Sequence, residues 1–358
     1  MPDSPRQSPR RPARGAGSNP ASRFGLGREA AHDGWEIPDD LPPLRTEIRD
    51  ERVRGVITRN ASPDIGFDRS INPYGGCEHG CIYCYARPLH ANLGLSPGLD
   101  FETRLTAKPD AARALEAELG RPRYEPRPIA LGTATDPYQP AERDRAITRS
   151  VLQVLSDWRH PVTVMTRGAL VLRDADILAP MAAKGLARVG ISLTTLDAGL
   201  ARAMEPRAPS PERRLGMIRA LSRAGIPVRV MVSPLIPGLT DQELEAILEA
   251  ARGAGAGAAS CIPLRLPREV SMLFQEWLAA HAPGRAAKVM ARVRDLHGGR
   301  DYDPAFGARF RGQGVWADLI RRRFELATDR LGLARRVPPL RCDLFARPAR
   351  AGDQLSLF

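Results

Sequence analysis

Three of the five cysteines in this 358-residue chain lie within eight positions, as Cys77-x3-Cys81-x2-Cys84. Thiolates at this spacing can each bind one iron of a [4Fe-4S] cube, and the glycines of residues 75–80 allow the backbone to fold around such a group. One iron of the cube is then left without a protein ligand. Because a metal with an open coordination position is where chemistry can occur, this loop predicts a reactive iron-sulfur centre.

Two other interpretations of these cysteines remain open from the residues alone. A structural zinc site uses four ligands, commonly two separated C-x2-C pairs, whereas here His79 lies inside the loop and Cys261 and Cys342 are isolated in the sequence. The three thiols could also carry no metal. A disulfide framework is not expected, because no secretory signal opens the chain and five cysteines are an odd, sparse number.

The cysteine loop and its flanks resemble a known superfamily. A C-x3-C-x2-C motif with an aromatic residue before the third cysteine, here Tyr83, is the signature of the radical S-adenosylmethionine (SAM) enzymes. Residues 68–74 (DRSINPY) and 84–87 (CYAR) are similar to the spore photoproduct lyase-like branch and its bacterial relatives. The resemblance covers residues 45–345 and implies two cofactors, a [4Fe-4S] cluster and SAM. It also implies reductive cleavage of SAM to a 5′-deoxyadenosyl radical that abstracts hydrogen from the substrate.

The rest of the chain alternates β-branched runs with amphipathic stretches, the pattern of a mainly parallel sheet flanked by helices. Gly185 and Gly225 stand where C-terminal helix caps belong. Pattern alone predicts only an α/β class, and the resemblance implies a partial (β/α)6 radical SAM barrel. The predicted strands are 68–72, 128–132, 161–166, 187–193, 227–233 and 259–264, and the predicted helices among them are 141–158, 174–184, 211–224 and 241–251.

The sequence divides into five segments. Residues 1–30 are rich in Pro, Arg, Ser and Gly and are expected to form a disordered basic tail, followed by an extended segment at 31–65. The barrel is expected at 66–268 and a mostly helical cap at 269–346, before a flexible tail at 347–358. Within the cap, loop 302–314 mixes aromatic residues, arginines and glycines, which suits either base stacking or a buried aromatic hinge.

Seven residues are candidate SAM contacts implied by the resemblance, most of them near strand ends, where barrel enzymes place their chemistry. Many relatives carry a Gly-Gly-Glu turn for the methionyl amino group after the second strand, whereas this chain has GTATDPYQPAE at 132–142. Arg167 ends the third strand, where relatives often have a lysine facing the methionyl carboxylate, and it offers a bidentate contact. The full set is Tyr83, Asp136, Gln139, Glu142, Arg167, Ser192 and Arg207.

Spore photoproduct lyase finishes its reaction with a hydrogen-donating cysteine from the early part of its barrel. No cysteine lies between Cys84 and Cys261 here, which argues against the photoproduct reaction being carried over intact. Two donor candidates remain. Cys261, on the last strand, could face the barrel interior, and Cys342 could cover the barrel mouth. For both, the residue type favours a buried small apolar position over that donor role.

The chain ends in Gln354-Leu-Ser-Leu-Phe358, which resembles the pentapeptide by which bacterial replication and repair proteins bind the sliding clamp. In that interpretation Leu355, Leu357 and Phe358 fill an apolar cleft while Gln354 fixes the register by hydrogen bonding. The same apolar residues could instead fold back onto the domain.

A formal net charge of +12 and a pI near 10.2 favour a polyanionic partner such as DNA. Six arginines and one acidic residue in residues 1–28 supply five of these charges, and the arginine bias of the body could be ordinary solvated surface. No apolar run approaches the ~20 residues that span a bilayer, so a cytoplasmic protein without membrane contacts is expected.

Together these features predict a radical SAM enzyme that repairs or processes a DNA lesion and is recruited by the sliding clamp. One alternative keeps the radical chemistry but directs it at RNA, a protein or a small molecule. The other is a non-catalytic iron-sulfur or zinc adaptor between clamp and DNA. The electron donor is unknown from the sequence, and Cys261 and Cys342 are too few to bind a second cluster alone.

Overall fold

The computed structural model describes residues 13–24 and 44–348. Seven of the strands in this part of the chain form one main sheet, and the other three form a small one. The strands are β1 (Glu47–Asp50), β2 (Thr58–Arg59), β3 (Arg69–Ile71), β4 (Tyr74–Gly75), β5 (Arg104–Ala107), β6 (Ile129–Leu131), β7 (Val162–Thr166), β8 (Ala187–Ser192), β9 (Val228–Leu235) and β10 (Ala258–Pro263).

The main sheet has the order β10-β9-β8-β7-β6-β3-β2. Its first six strands in that order are parallel, and β2 pairs with β3 in the antiparallel direction. Six parallel strands with helical crossovers confirm the predicted α/β class and partial (β/α)6 barrel. The ends of these strands define a C-terminal edge, where barrel enzymes place their chemistry, and an opposite N-terminal edge.

The helices lie close to the predicted positions, with one difference. The predicted helix 141–158 is interrupted at Ala146, whose φ of 50° is left-handed. The buried Glu142 carboxylate accepts the Thr148 backbone N–H at 3.0 Å, so it caps the second helix at the break. The helices are α1 (Asp100–Thr103), α2 (Ala111–Leu119), α3 (Glu142–Arg145), α4 (Ile147–Asp157), α5 (Ala175–Ala183), α6 (Ala198–Met204), α7 (Pro211–Arg223), α8 (Leu244–Gly253), α9 (Glu269–His281), α10 (Pro283–Leu296), α11 (Ala308–Arg311) and α12 (Gly314–Leu331).

Helix ends follow the sequence signals. The Ser210 hydroxyl accepts the Arg213 N–H at 3.2 Å, with Pro211 as the first helical residue of α7. Gly185 and Gly225 follow α5 and α7 with φ of 70° and 76°, a conformation that glycine adopts without strain. These caps let each helix stop and return to the sheet.

Two hydrophobic cores hold the molecule together. The larger one lies between the main sheet and the barrel helices, and the fully buried Val164, Ile191 and Val230 belong to it. The second packs α9 and α10 against the cysteine loop, since Phe274 and Val293 share a cluster with Tyr83. The predicted C-terminal helical region is therefore present and covers the cysteine loop.

Residues 13–24, which we call the N-terminal strap, lie within the segment expected to be disordered, yet they pack on the barrel. The backbone N–H groups of Gly15 and Ala16 donate to the Glu102 carboxylate at 2.9 and 2.8 Å. Ala16 is buried in the same core cluster as Cys81. Backbone donors that satisfy a buried carboxylate anchor a segment that has little apolar surface of its own. The remainder of 1–30, and residues 25–43, lie outside the described residues.

Residues 333–348, which we call the C-terminal segment, cross the N-terminal edge of the sheet. Ala334 pairs with Ala258 at the start of β10, and the Arg341 N–H donates to the Gly185 carbonyl before β8 at 3.0 Å. Farther along, Phe345 stacks on Trp158 with ring centres 5.9 Å apart. The segment therefore closes the edge of the barrel opposite the cysteine loop.

Candidate functional site

The three candidate cluster cysteines lie on one buried loop that begins just beyond β3. Gly76 and Gly80 adopt φ of 75° and 67°, which explains why glycines are needed there. The Cys77 N–H donates to the Phe101 carbonyl at 2.9 Å, which ties the start of the loop to α1. All three cysteines are free thiols, as an iron-sulfur ligand set requires.

Burial governs the chemistry of these thiols. It raises the pKa of Cys81 to about 12, against the opposing charge of the neighbouring Arg167. The pKa of Cys77 is also raised by burial, and further by Asp136 and the other two cysteines. Thiolates in this loop therefore need positive charge close by, which iron ions would supply.

A second layer of side chains holds the loop in place. Arg87 is fully buried, donates to the carbonyls of Cys81 and Gly80 at 3.0 and 3.2 Å, and pairs with Glu102 at 2.6 Å. The Glu102 carboxylate also receives the strap backbone, so strap, carboxylate and arginine form one chain of contacts to the cysteines. A charged hydrogen bond in this dry setting is a strong positional restraint.

Arg167 lies at the C-terminal edge and points across it to the cysteine loop. Its guanidinium contacts the Cys81 sulfur and the Tyr83 hydroxyl, and lies 3.4 Å from the Ser192 hydroxyl. Desolvation works against its charge, but the neighbouring Cys81 and Asp136 raise its pKa. Tyr83, Arg167 and Ser192, all predicted SAM contacts, are therefore brought together at one place.

The carboxylate at the centre of this group was missed by the sequence analysis. Glu205 is almost fully buried and accepts hydrogen bonds from Tyr83, Thr194 and Arg214, with Arg167 Nη1 3.3 Å away. A charged residue directly after the apolar end of α6 and before a proline was the only available signal, and it does not reveal burial.

Asp136, another predicted SAM contact, also faces this edge and is bonded to the strand end that carries Arg167. It accepts the Arg167 backbone N–H at 2.9 Å and the Thr166 hydroxyl at 2.5 Å. Burial alone would raise the pKa of Asp136, but His79, 3.4 Å away, and these hydrogen bonds lower it to about 2. A carboxylate so fully bonded is a fixed anion rather than a proton carrier.

Three other predicted SAM contacts have different partners. Gln139 accepts the Glu78 N–H at 2.8 Å and donates to the Gly76 carbonyl at 3.2 Å, so it fastens the cysteine loop from behind. Glu142 caps α4, pairs with an arginine 2.7 Å away and accepts a hydrogen bond from the Tyr74 hydroxyl. Arg207 pairs with Glu78 at 3.0 Å. Each of these three side chains already has protein partners, and its contact with SAM stays a prediction.

Neither candidate hydrogen donor faces the C-terminal edge. Cys261 is partly buried in the main core and interacts with Arg323 of α12, so it lies on the outer face of the sheet, and burial raises its pKa to about 12. Cys342 lies on the C-terminal segment at the N-terminal edge, next to the residue that bonds Gly185. The structure therefore contradicts the positions that the hydrogen-donor interpretation requires of Cys261 and Cys342.

The residues present are compatible with a cluster and SAM. Three soft thiol ligands on one loop face a guanidinium, and Ser233 Oγ at the same edge is buried without a hydrogen-bond partner. In the described residues no three His, Cys, Asp or Glu side chains converge as around a single metal ion. A cube does not need such convergence, because each cysteine binds a different iron.

Comparison with known proteins identifies the family. The Radical SAM superfamily profile matches residues 71–251, which is half of the chain and includes the cysteine loop and four of the parallel strands that follow it. The chain belongs to the radical SAM superfamily. Membership of this superfamily shows that the protein is an enzyme. It also implies that a [4Fe-4S] cluster and SAM are its cofactors.

Its sequence relatives include bacterial and archaeal proteins. An uncharacterised protein of Mycobacterium tuberculosis (strain H37Rv) is 36% identical over 242 residues, covering 67% of this chain and 70% of the relative. An uncharacterised protein of Methanocaldococcus jannaschii is 30% identical over 200 residues, covering 56% of this chain and 73% of the relative.

Among solved structures, the fold is similar to that of spore photoproduct lyase. A complex of that enzyme with a dinucleoside spore photoproduct superposes with a TM-score of 0.56 at 14% identity, covering 80% of this chain and 81% of the other. A double mutant with bound AdoMet and the same dinucleoside gives a TM-score of 0.55 at 14% identity, covering 83% and 87%. At this identity the similarity concerns the fold.

Two sequence expectations concern partners other than the cofactors. The clamp-like residues Gln354, Leu355, Leu357 and Phe358 lie outside the described residues. Among the residues that the structure describes, no helix is both long enough and apolar enough to cross a membrane.

Proposed function

We propose that Cys77, Cys81 and Cys84 bind the cluster and that the enzyme repairs or processes a lesion in DNA at the C-terminal edge of its sheet. The observation that carries the site is the convergence of one buried three-thiol loop with the guanidinium of Arg167. When bound, cluster and SAM supply one electron and a hydrogen-abstracting radical. The chain's own residues bind, orient and shield these groups.

Arg167 is proposed to bind the methionyl carboxylate of SAM, because its guanidinium is planar, charged and already lies at the cysteines. Ser192 and Ser233, at the same edge, supply hydroxyl groups for the polar parts of the cofactor. Glu205 holds Arg167 and Tyr83 in position from beneath. A preorganised arrangement of this kind reduces the cost of ordering the cofactor before reaction.

Exclusion of water is the second task of the protein. Tyr83 is buried beside the cysteine loop, and α9 and α10 cover that loop through the second core. A reactive radical is protected from side reactions when the site is dry. The same packing explains why a helical cap follows the barrel.

DNA is proposed as the substrate on two grounds. The solved structures with the same fold include complexes of spore photoproduct lyase with a dinucleoside photoproduct. The chain also has a formal net charge of +12, which favours binding to phosphates. Neither Cys261 nor Cys342 faces the C-terminal edge. A cysteine that donates hydrogen in the last step is therefore not part of the proposal.

Recruitment by the sliding clamp through Gln354–Phe358 is a further part of the proposal, supported by the pentapeptide in the sequence. The described chain approaches this motif along the N-terminal edge, where Arg347 donates to the Gly120 carbonyl. The motif therefore follows a segment that is anchored away from the cysteines.

The first test is an anaerobic assay of the whole chain. The protein is reconstituted with iron and sulfide, given SAM and a strong reductant, and assayed for 5′-deoxyadenosine with undamaged or ultraviolet-damaged DNA. Stimulation by damaged DNA is expected. Formation that is indifferent to DNA would reject the proposed substrate while leaving the enzyme class intact, and no product from a fully loaded cluster would favour the non-catalytic adaptor.

A further inference from the structure

Five side chains stack in a continuous row that we call the aromatic-arginine ladder: Tyr85, Arg265, Phe310, Arg309 and Phe306. The Arg265 guanidinium carbon lies 4.8 Å from the centre of the Tyr85 ring and 4.1 Å from that of Phe310. The Arg309 carbon lies 5.0 Å from the Phe310 ring centre and 4.7 Å from that of Phe306. Cations and aromatic faces thus alternate along the whole row.

The ladder begins at the candidate site. Tyr85 follows Cys84 directly, and its hydroxyl donates to the Thr133 carbonyl beyond the end of β6. Arg265 lies two residues beyond the end of β10, so the inner end of the ladder extends across the C-terminal edge. Tyr85 is 47% exposed and Phe306 at the outer end is 64% exposed. Both ends therefore present aromatic surface to a ligand.

Of the two arginines of the ladder, one is paired with a carboxylate in the described part of the chain and the other is not. Arg309 pairs with Asp64 at 2.7 Å, whereas Arg265 has no ion pair with any carboxylate of residues 13–24 or 44–348. The Arg265 guanidinium also hydrogen-bonds the Tyr302 side chain, which leaves its other in-plane N–H groups for a planar or anionic partner. Arg265 is thus positioned to bind a phosphate or the edge of a base.

The segments that carry the ladder contain further arginines. Arg268, Arg300 and Arg311 are exposed, and within the described part of the chain none of them pairs with a carboxylate. Exposed aromatic rings interleaved with unpaired arginines are the combination by which proteins bind unpaired nucleotides: bases stack on the rings and phosphates contact the cations. An uncharged peptide or small apolar ligand would not require this charge.

We propose that the ladder binds the unpaired bases of a single-stranded or locally opened DNA, with bases stacked on Phe306 and Tyr85 and Arg265 bound to the phosphate or base edge between them. This inference rests on the proposed function, because it takes DNA as the substrate. It assigns loop 302–314 a role in leading the strand to the cysteine loop, and it makes the hinge interpretation of that loop unnecessary.

The test measures binding of a short single-stranded oligonucleotide that carries the fluorescent base analogue 2-aminopurine, without reductant so that no chemistry occurs. Phe306→Ala is expected to weaken binding roughly tenfold, in line with the loss of one stacked base, and to restore the fluorescence that stacking quenches. Arg265→Lys keeps the charge but loses the planar guanidinium and is expected to weaken binding by several-fold. The matched control is Leu326→Ala, on α12. Leu326 is 52% exposed, which is similar to Phe306, but it is not part of the ladder.

Wild-type affinity and quenching in both ladder variants would overturn the inference, even if damaged DNA stimulates SAM cleavage. Weakened binding in the ladder variants but not in the control would support it, even if DNA never stimulates SAM cleavage and the proposed repair function fails. Thermal melting of each variant confirms that the fold is retained, which is expected because Phe306 contributes little buried surface.

Discussion

At the scale of single residues, the Glu205 carboxylate is held by four partners. It and its partner Arg214 are each only 1% exposed, and it also supports Tyr83 and Arg167. A buried charge is tolerated only when its partners are complete. Glu205 therefore links the stability of the fold to the geometry of the arginine at the cysteines.

Glu205→Gln is expected to destabilise the protein by about 3–5 kcal/mol, because it leaves Arg214 as an uncompensated buried cation. Chemical denaturation of the reconstituted protein measures this change. The matched control is Glu249→Gln, which removes an exposed ion pair with Arg330 and is expected to cost about 0–1 kcal/mol. Equal effects of the two substitutions would show that Glu205 is not the buried anchor described here.

Cys81→Ala is expected to abolish assembly of a complete cluster and with it all formation of 5′-deoxyadenosine, because a cube held by two cysteines is labile. Iron and sulfide analysis of the anaerobically reconstituted protein measures the loss. Cys261→Ala is the control, since that thiol lies on the outer face of the sheet. A full cluster in the Cys81 variant would mean that the ligands are different residues.

At the scale of elements, the N-terminal strap is part of the support of the cysteine loop. A β-carbon on Gly15 would lie 1.7 Å from the Gly80 carbonyl oxygen, whereas nothing lies within 4 Å of such an atom on Gly17. Backbone contact this close is possible only for glycine. The strap and the cysteine loop therefore hold each other in place.

Gly15→Ala is expected to dislodge the strap and to speed the loss of the cluster in air by several-fold, because the outer side of the loop is then open to oxygen and water. Loss of the visible absorbance of the reconstituted protein follows this rate. Gly17→Ala, in the same segment, should leave it unchanged. If both variants lose the cluster at the wild-type rate, the strap does not protect it.

The C-terminal segment gives the fold a pH-dependent element. His160 is buried under Phe345, its Nδ1 donates to the Pro161 carbonyl at 3.0 Å, and its Nε2 accepts the Tyr124 hydroxyl at 2.8 Å. Burial lowers the pKa of His160 from 6.5 to about 4. The unfolded chain therefore takes up a proton that the folded protein excludes.

The free energy of unfolding is expected to fall as the pH decreases from 6.5 to 4. His160 accounts for about 3 kcal/mol of this decrease. Above pH 6.5 both states are neutral at His160 and the contribution is fully present. His160→Gln should remove this part of the pH dependence while lowering stability at neutral pH. Denaturation curves between these pH values, compared for the two proteins, measure it; parallel curves would contradict the assignment.

The same elements show what can be predicted from sequence. The six parallel strands and most helices followed from β-branched runs, capping residues and glycines, since those signals are local. The break at Ala146 did not, because it depends on Glu142 capping the next helix. Nor did the burial of Glu205 or the docking of the strap, because their partners are distant in sequence and supplied only by the fold.

At the scale of the whole molecule, clamp recruitment predicts a function for residues that the catalytic site does not need. Replacing Leu357 and Phe358 together by alanine is expected to abolish binding to the sliding clamp while 5′-deoxyadenosine formation on free DNA stays within about twofold, because the anchors of a docked peptide contribute most of its affinity. Surface plasmon resonance with immobilised clamp measures the first effect. Ser356→Ala, within the same pentapeptide but not an assigned anchor, is the control. Unchanged clamp affinity in the double variant would remove recruitment from the proposal.

The C-terminal segment leaves the barrel beside Gly120, at the edge opposite the cysteines. Only five residues separate Pro348 from Gln354, so at roughly 3.5 Å per residue the intervening chain spans no more than about 20 Å. In the proposed arrangement, attachment to the clamp would occur near the N-terminal edge and reaction at the C-terminal edge. The two would not compete for surface, so a bound clamp would not obstruct the substrate. A connecting segment this short would keep the C-terminal edge of the sheet at an effective concentration on the order of millimolar relative to the DNA that the clamp encircles. The enzyme would then search for damage only in DNA close to the clamp.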